Sequence, residues 1–222
     1  MIITNIQDEM DLQLVPESVE KTLSIVELIK SGGLAGQLII ALLTVLLVVA
    51  LYIYFERLFT IKAASKVDPN FMNQIKDHVV NGKIEAAKAV CIQVNSPVSR
   101  LIDKGISRIG RPLADINSAI ENAGKLEVYS LEKNVSILAT ISGAAPMIGF
   151  LGTVIGMILS IFEIANSGGQ IDIKLLADGL YTAMTTTVAG LVVGIIAYIA
   201  FNHLVGRTNK VVYQMEANSV EF

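Results

Sequence analysis

Three long apolar runs without a charged residue dominate the sequence, at residues 34–55, 137–162 and 179–201. An α-helix rises about 1.5 Å per residue, so roughly 20 residues cross a hydrocarbon layer of about 30 Å. Hydrophobic residues make up 53% of the chain and charged residues only 17%, which is outside the usual balance for a soluble domain. The sequence therefore predicts a membrane protein with three spanning helices.

The distribution of Lys and Arg predicts the orientation. Two precede the first run, twelve lie between the first and second, one lies between the second and third, and two follow the third. Because cytoplasmic loops carry the excess of basic residues, the N-terminus is placed in the periplasm and the C-terminus in the cytoplasm. The first run follows an acidic segment and is too long for a signal-peptide core, so we expect it to remain in a multi-pass protein of the bacterial inner membrane.

The regions outside the runs are also helical in pattern, and no strand pattern is present. Gly82 and the Ser96-Pro97 pair indicate helix boundaries. After Pro112 the helical pattern is unbroken towards the second run, with Gly124 its one weak point. The predicted fold class is an all-α membrane protein with three transmembrane helices, of which the second and third extend as long helices into a helical cytoplasmic domain.

These boundaries predict seven segments. In order they are a periplasmic segment with an amphipathic helix (1–33), transmembrane helix one (34–55), a cytoplasmic helical domain (56–136), transmembrane helix two (137–163), a short periplasmic loop (164–177), transmembrane helix three (178–204) and a cytoplasmic C-terminal helix (205–222). The amphipathic helix either lies on the outer membrane surface or packs on a partner, and its acidic polar face does not decide between the two.

The cytoplasmic segment carries alternating basic and acidic residues, which indicates solvated helix faces and argues against a nucleic-acid surface. Cys91 is the single cysteine of the chain, so an intramolecular disulfide is impossible. We interpret it as a buried structural thiol.

The second apolar run is unusually rich in small and hydroxylated residues. Those that recur at steps of three or four share one helix face; they are Ser142, Pro146, Gly149, Thr153, Gly156, Ser160 and Glu163. Helix packing explains the glycines, because small residues let neighbouring backbones approach. It explains less well a hydroxyl at Thr153, or a proline that frees the carbonyl of Ser142 on the same side.

The third run repeats this pattern, with four threonines within six residues at 182, 185, 186 and 187. The hydroxyl of a single threonine can bond to the carbonyl one turn earlier at little cost, so one threonine does not indicate a channel. Four of them opposite a second hydroxyl-bearing face favour a hydrated path over simple packing. We therefore interpret one face of each run as channel-lining or partner-facing, with helix packing as the alternative. The residues are Ser142, Pro146, Gly149, Thr153 and Gly156 of the second run and Thr182, Thr186 and Thr187 of the third.

No apolar run contains Asp, Glu, Lys, Arg or His in its interior, and the acids Glu163 and Asp178 lie only at the outer ends of spans two and three. A proton path normally needs a titratable group within the membrane, so we expect a partner to supply it. No catalytic constellation, metal-ligand spacing or cofactor motif is present. We expect neither an enzyme nor a bound metal or cofactor.

Two motifs resemble those of the proton-channel family that includes ExbB, TolQ and MotA. The segment 145–157, from Ala-Pro-Met-Ile-Gly through Gly-Thr-Val-Ile-Gly-Met, is similar to the family's span-two motif, and 183–191 is similar to its span-three motif. Residues 24–33 resemble the outer amphipathic helix that precedes span one in the ExbB members. ExbB and TolQ members typically carry a Glu in span three, at the position that matches Thr182.

The resemblance implies a homopentamer around a dimer of an ExbD-like single-span partner, whose intramembrane Asp carries the proton. Thr153 and Thr187 would face that partner, with Pro146 shaping span two. It also implies a proton-driven motor that works on an outer-membrane system, such as TonB-dependent transport through a TonB-like protein. A self-sufficient ion channel or permease, and a structural scaffold, remain as alternatives.

Overall fold

The computed structural model describes residues 33–66, 68–166 and 173–222, so the predicted amphipathic helix before span one lies outside the described residues. Seven helices account for nearly all of this part of the chain, and no strand occurs within it. The helices are α1 (Gly33–Ala64), α2 (Phe71–Val80), α3 (Ile84–Val94), α4 (Pro97–Ile106), α5 (Leu113–Glu132), α6 (Val135–Asn166) and α7 (Ile173–Glu221).

Three helices are long and apolar enough to cross a membrane, over Ala35–Ala64, Val135–Asn166 and Gly179–Glu221. They correspond to the three apolar runs and belong to α1, α6 and α7. The predicted fold class, an all-α membrane protein with three transmembrane helices and long later helices, is confirmed. Helices α6 and α7 pack along each other, and α1 packs against both.

The helical pattern before span two is interrupted, which differs from the unbroken helix that the sequence pattern predicts. Helix α5 ends at Glu132 and α6 begins at Val135. Between them, Asn134 has φ 63°, in the left-handed region. Asn occupies this region more readily than most residues, because its short polar side chain tolerates it. The predicted weak point, Gly124, lies inside α5 without breaking it.

The short helices α2 to α4 form a small core with α5 and the end of α7. Helix α4 begins with a capping box, in which the backbone N–H of Ser99 donates to the hydroxyl of Ser96 and the N–H of Ser96 donates to the hydroxyl of Ser99. Pro97 occupies the first turn, where its missing N–H costs nothing. Arg100 on α4 binds both carboxylate oxygens of Glu127 on α5, each at 2.6 Å, which joins the two helices.

Cys91 is buried in this core, at 2% exposure, and the interpretation as a buried thiol is confirmed. Burial, with a smaller contribution from the nearby Asp103, raises the pKa of the Cys91 thiol to about 11. The group therefore stays neutral and unreactive at physiological pH, because the thiolate is the nucleophile.

We predict that Cys91 reacts about 100-fold more slowly with iodoacetamide at pH 8 in the folded protein than after denaturation, since each unit of pKa lowers the thiolate fraction tenfold. Alkylation followed by mass spectrometry measures both rates. An exposed cysteine made by Ser107→Cys in a Cys91→Ser background is the control and should show no such difference. Equal rates for folded and denatured Cys91 would contradict the prediction.

Candidate functional site

Backbones of α6 and α7 meet directly at two glycines. A Cβ atom built on Gly190 would lie 2.6 Å from the carbonyl oxygen of Ala145 and 2.9 Å from Cα of Gly149. A Cβ built on Gly149 would lie 2.8 Å from the carbonyl oxygen of Thr186. These obstacles are backbone atoms, which cannot move aside as a side chain can. Glycine is therefore required at both positions for the observed helix separation.

The close approach brings two threonine hydroxyls together across the interface. Oγ1 of Thr153 on α6 and Oγ1 of Thr187 on α7 are in hydrogen-bond contact. The Thr187 hydroxyl also reaches the carbonyl oxygen of Gly149 at 3.2 Å, and the Thr153 hydroxyl reaches that of Ala183 at 3.2 Å. We call Thr153 and Thr187 the threonine pair.

The threonine pair has a fixed number of protons to share. Each hydroxyl has one proton to donate and two lone pairs to accept with. Either Thr153 donates to Thr187, which then donates to Gly149, or Thr187 donates to Thr153, which then donates to Ala183. Both arrangements use every proton inside the interface and leave lone pairs unoccupied. The pair is therefore suited to accept a hydrogen bond from an incoming donor.

Exposure separates the threonines into two groups. Thr186 is fully buried and Thr182 is 9% exposed, whereas Thr153 and Thr187 are half-buried. The Thr186 hydroxyl bonds to Ala183 at 2.8 Å and to Gly149 at 3.3 Å, and so closes the interface behind the pair. Within this single chain, the pair keeps an accessible side.

Thr182 packs against α1. A Cβ built on Gly36 would lie 2.9 Å from Cγ2 of Thr182. The sequence pattern groups Thr182 with Thr186 and Thr187, but the structure places it at a different helix contact.

The other predicted residues of span two lie along the same α6–α7 interface, at both ends of the pair. A Cβ built on Gly194 would lie 2.6 Å from Cγ of Pro146 and 3.1 Å from the carbonyl oxygen of Ser142. The Ser142 hydroxyl itself donates to Ala139 at 2.7 Å. Gly156 faces Ala183. This arrangement satisfies the packing interpretation for these residues.

The two predicted acids lie at the outer span ends. Glu163 is exposed near the end of α6, and Asp178 lies in the first two turns of α7. Within the described ranges no group of three or more His, Cys, Asp or Glu residues could hold a metal ion. Each acid lies more than two helical turns along its helix from the threonine of the pair on that helix.

One polar contact between spans has no counterpart in the sequence analysis. The hydroxyl of Tyr54 on α1 lies 3.0 Å from Nδ1 of His203 on α7. Both residues lie where their apolar runs end. The sequence therefore indicated that they lie at a similar depth in the membrane, but not that they form a pair. The two residues are 149 positions apart in the sequence, so no local sequence pattern indicates their contact.

A known protein family matches the part of the chain that contains this interface. The model of the MotA/TolQ/ExbB proton channel family matches residues 93–217, which include both halves of the threonine pair. The chain belongs to the MotA/TolQ/ExbB proton channel family. With three apolar helices, this family membership makes it a multi-pass inner-membrane protein of the channel and transport type.

Individual relatives agree with the family. The chain is 27% identical over 194 residues to an ExbB homolog of Methanothermobacter thermautotrophicus, covering 87% of this chain and 67% of that one. It is 24% identical over 218 residues to the Tol-Pal system protein TolQ of Pseudomonas aeruginosa, covering 93% and 94%. It is 39% identical over 88 residues to an ExbB-like protein of Helicobacter pylori, covering 40% of this chain and 57% of that one.

We predict that Gly190→Ala forces α6 and α7 apart and lowers the melting temperature of the purified protein, because the new methyl group meets backbone atoms of α6. Overpacking of this kind costs about 1–3 kcal/mol. Gly206→Ala on the same helix is the matched control, since nothing lies within 4 Å of its Cβ position, and it should be neutral or slightly stabilising. Equal melting temperatures for the two variants would show that the glycine contact is not required.

Proposed function

We propose that this chain is the multi-span subunit of a proton-driven inner-membrane motor, and that its threonine pair receives the proton-carrying carboxyl group of a single-span partner. The observation that carries the proposal is the half-buried pair of Thr153 and Thr187, whose protons are used internally while lone pairs stay open. Family membership and the names of the ExbB and TolQ relatives support the same assignment.

The pair suits both states of a carboxyl group. A protonated carboxyl can donate its hydrogen to an open lone pair of Thr153 or Thr187. Once the carboxyl ionises, either hydroxyl can turn its proton from a backbone carbonyl to the carboxylate, which forms a stronger, charge-assisted bond. Hydroxyl rotation costs little compared with moving a charged side chain. The threonine pair can thus hydrogen-bond to both the neutral and the ionised carboxyl group while remaining uncharged itself.

The partner would be an ExbD-like protein with one intramembrane Asp, present as a dimer inside a homo-oligomer of this chain, with five copies by family analogy. The distribution of basic residues along the sequence supports an N-terminus in the periplasm and a C-terminus in the cytoplasm. Ion flow would rearrange the subunits around the partner, whose periplasmic part would deliver work to an outer-membrane system, such as TonB-dependent transport through a TonB-like protein.

We predict that Thr153→Val or Thr187→Val abolishes energy transduction while the oligomer still assembles, because valine keeps the shape and removes the hydroxyl. The measurement is uptake of a TonB-dependent substrate by cells that depend on this chain, with assembly checked by size-exclusion chromatography. Thr44→Val is the control, since Thr44 is exposed on α1 and its hydroxyl donates to the carbonyl oxygen of Ile40 in the same helix. Normal uptake in both pair variants would sink the assignment.

A scaffold role is favoured by one observation, the direct backbone contact at Gly149 and Gly190. In that case the threonines only hold the helices together, and Thr187→Ala should be tolerated as well as Thr187→Ser. The motor proposal requires the hydroxyl, so only Thr187→Ser should retain uptake.

We also predict that a single-span protein with one intramembrane Asp co-purifies with this chain from native membranes in mild detergent. Mass spectrometry of the purified complex identifies it. A self-sufficient channel or permease, the remaining alternative, would instead give ion conductance in liposomes that contain this chain alone. Conductance without the partner would overturn the two-component proposal.

A further inference from the structure

Three basic side chains from two helices line one small cavity. The cavity has a volume of about 90 Å³ and lies between the end of α1 and the second half of α7. The basic groups belong to Lys62 on α1 and to Arg207 and Lys210 on α7. The other lining residues are uncharged; they are Ile61, Ser65 and Gln214. Three positive charges therefore converge on a cavity that has no acidic residue in its described lining.

The three basic groups also lack a counter-charge beyond the lining. None of them forms an ion pair within the part of the chain that the structure describes. An acid that compensates a basic residue on a helix commonly lies three or four positions away, but no Asp or Glu occupies such a position for Lys62, Arg207 or Lys210. The carbonyl end of α1 offsets part of the charge of Lys62, whereas Arg207 and Lys210 lie well inside α7. The three groups thus repel one another unless an anion lies among them.

The uncharged lining leaves space for an anion. The amide oxygen of Gln214 is enclosed in the protein, so it does not present its partial negative charge to the cavity. The Ser65 hydroxyl donates its proton to the carbonyl oxygen of Lys62 at 3.0 Å, so the basic groups are the main donors. A water molecule takes up about 30 Å³ in the liquid, so the cavity holds roughly three waters or one compact group such as a phosphate.

The cavity lies just outside the hydrocarbon layer. The first and third apolar runs end at Phe55 and Phe201, and Lys62 and Arg207 lie about two helical turns, or roughly 10 Å, beyond these ends. Side chains on a helix lean towards its N-terminus, which at this end of α1 and α7 is the membrane side. The long stems of Lys and Arg extend along apolar surface and carry their charges further in that direction. The basic groups can therefore reach the level of the lipid phosphates.

Exposed aromatic side chains lie on the membrane side of the cavity. Phe59 is 67% exposed and precedes Lys62 by about one helical turn, and Phe55 is 51% exposed about one turn further towards the membrane. A free phosphate ion gains nothing from apolar surface, whereas the acyl chains of a lipid remove it from water. A basic cluster beside such a surface favours the headgroup of a lipid over a soluble anion.

We propose that this cavity binds a phosphate group, and that the group belongs to an acidic phospholipid in the leaflet at this end of the helices. The planar guanidinium of Arg207 can donate to two phosphate oxygens at once, and Lys62 and Lys210 add two point charges. Phosphatidylglycerol, with a net negative headgroup, suits three basic groups better than phosphatidylethanolamine, whose ammonium group they repel. The inference rests on the membrane placement of α1 and α7 and not on the motor assignment.

The test is native mass spectrometry of the purified protein after delipidation and titration with phosphatidylglycerol or phosphatidylethanolamine. We expect the wild type to bind phosphatidylglycerol more tightly. Arg207→Gln and Lys210→Gln should each lower that affinity about fivefold, the typical contribution of one basic residue near an acidic membrane surface. Lys133→Gln is the matched control, because Lys133 is an exposed lysine directly before span two and outside this cavity. It should leave the affinity unchanged.

Melting temperatures with and without lipid give a second readout. Because the three charges repel one another in the empty cavity, Lys210→Gln should raise the melting temperature of the delipidated protein. The same variant should reduce the further rise that added phosphatidylglycerol gives, since it removes part of the binding site. A lower melting temperature without lipid, together with an unchanged lipid effect, would show that the cluster is already compensated inside the protein and would overturn the proposal.

Inorganic phosphate separates a lipid headgroup from a soluble anion. Millimolar phosphate should displace no more phosphatidylglycerol than sodium chloride at the same ionic strength, which weakens all exposed charge interactions alike. Greater displacement by phosphate would identify the free anion as the ligand and would overturn the lipid assignment.

Two further results would overturn the proposal. The first is an equal loss of lipid affinity in Lys133→Gln and in the cavity variants, which would indicate a general attraction to surface charge without a site. The second is dissociation of the purified assembly by Arg207→Gln or Lys210→Gln with unchanged lipid binding. That result would place an acidic group of a second copy of the chain in the cavity.

Discussion

Direct backbone contact between α6 and α7 is the constraint on which the rest of the membrane region depends. At Gly149 and Gly190 the helices approach so closely that a single methyl group would meet backbone atoms. In a membrane the hydrophobic effect does not drive helices together, so association relies on close packing and interhelical hydrogen bonds. The glycines allow the close packing. They also bring the helices near enough for the threonines to form the interhelical hydrogen bonds.

Hydrogen bonding across this interface follows from that separation. Hydroxyls of Thr153, Thr186 and Thr187 reach carbonyl oxygens or each other across or along the two helices. Packing and channel lining are therefore not exclusive interpretations of the same residues. Thr186 lies fully within the interface, whereas the threonine pair borders its accessible side. Burial, and not residue type, distinguishes the packing threonine from the proposed functional ones.

Local sequence patterns predicted much of the fold, but they did not predict contacts between residues that are far apart in the sequence. The apolar runs located the three spans, and Ser96-Pro97 correctly marked the start of α4, because both effects act within a few residues. The break at Asn134 was missed, since neither Gly nor Pro marks it and Asn also occurs inside helices. Helical spacing placed Thr182 beside Thr186, but it could not reveal that Thr182 packs on Gly36 of α1.

The contact of Thr182 with Gly36 also bears on the span-three glutamate that the resemblance to ExbB and TolQ members implies at this position. A Cβ on Gly36 would lie 2.9 Å from the Thr182 methyl group, so a glutamate that extended beyond this methyl group would meet α1 and would have to take another direction. A charged carboxylate there would also have to be desolvated or paired, at a cost of several kcal/mol by the usual order of magnitude. Threonine avoids both penalties and allows α1 to pack tightly. In the proposed motor, the titratable chemistry at mid-membrane then falls to the partner's carboxyl group.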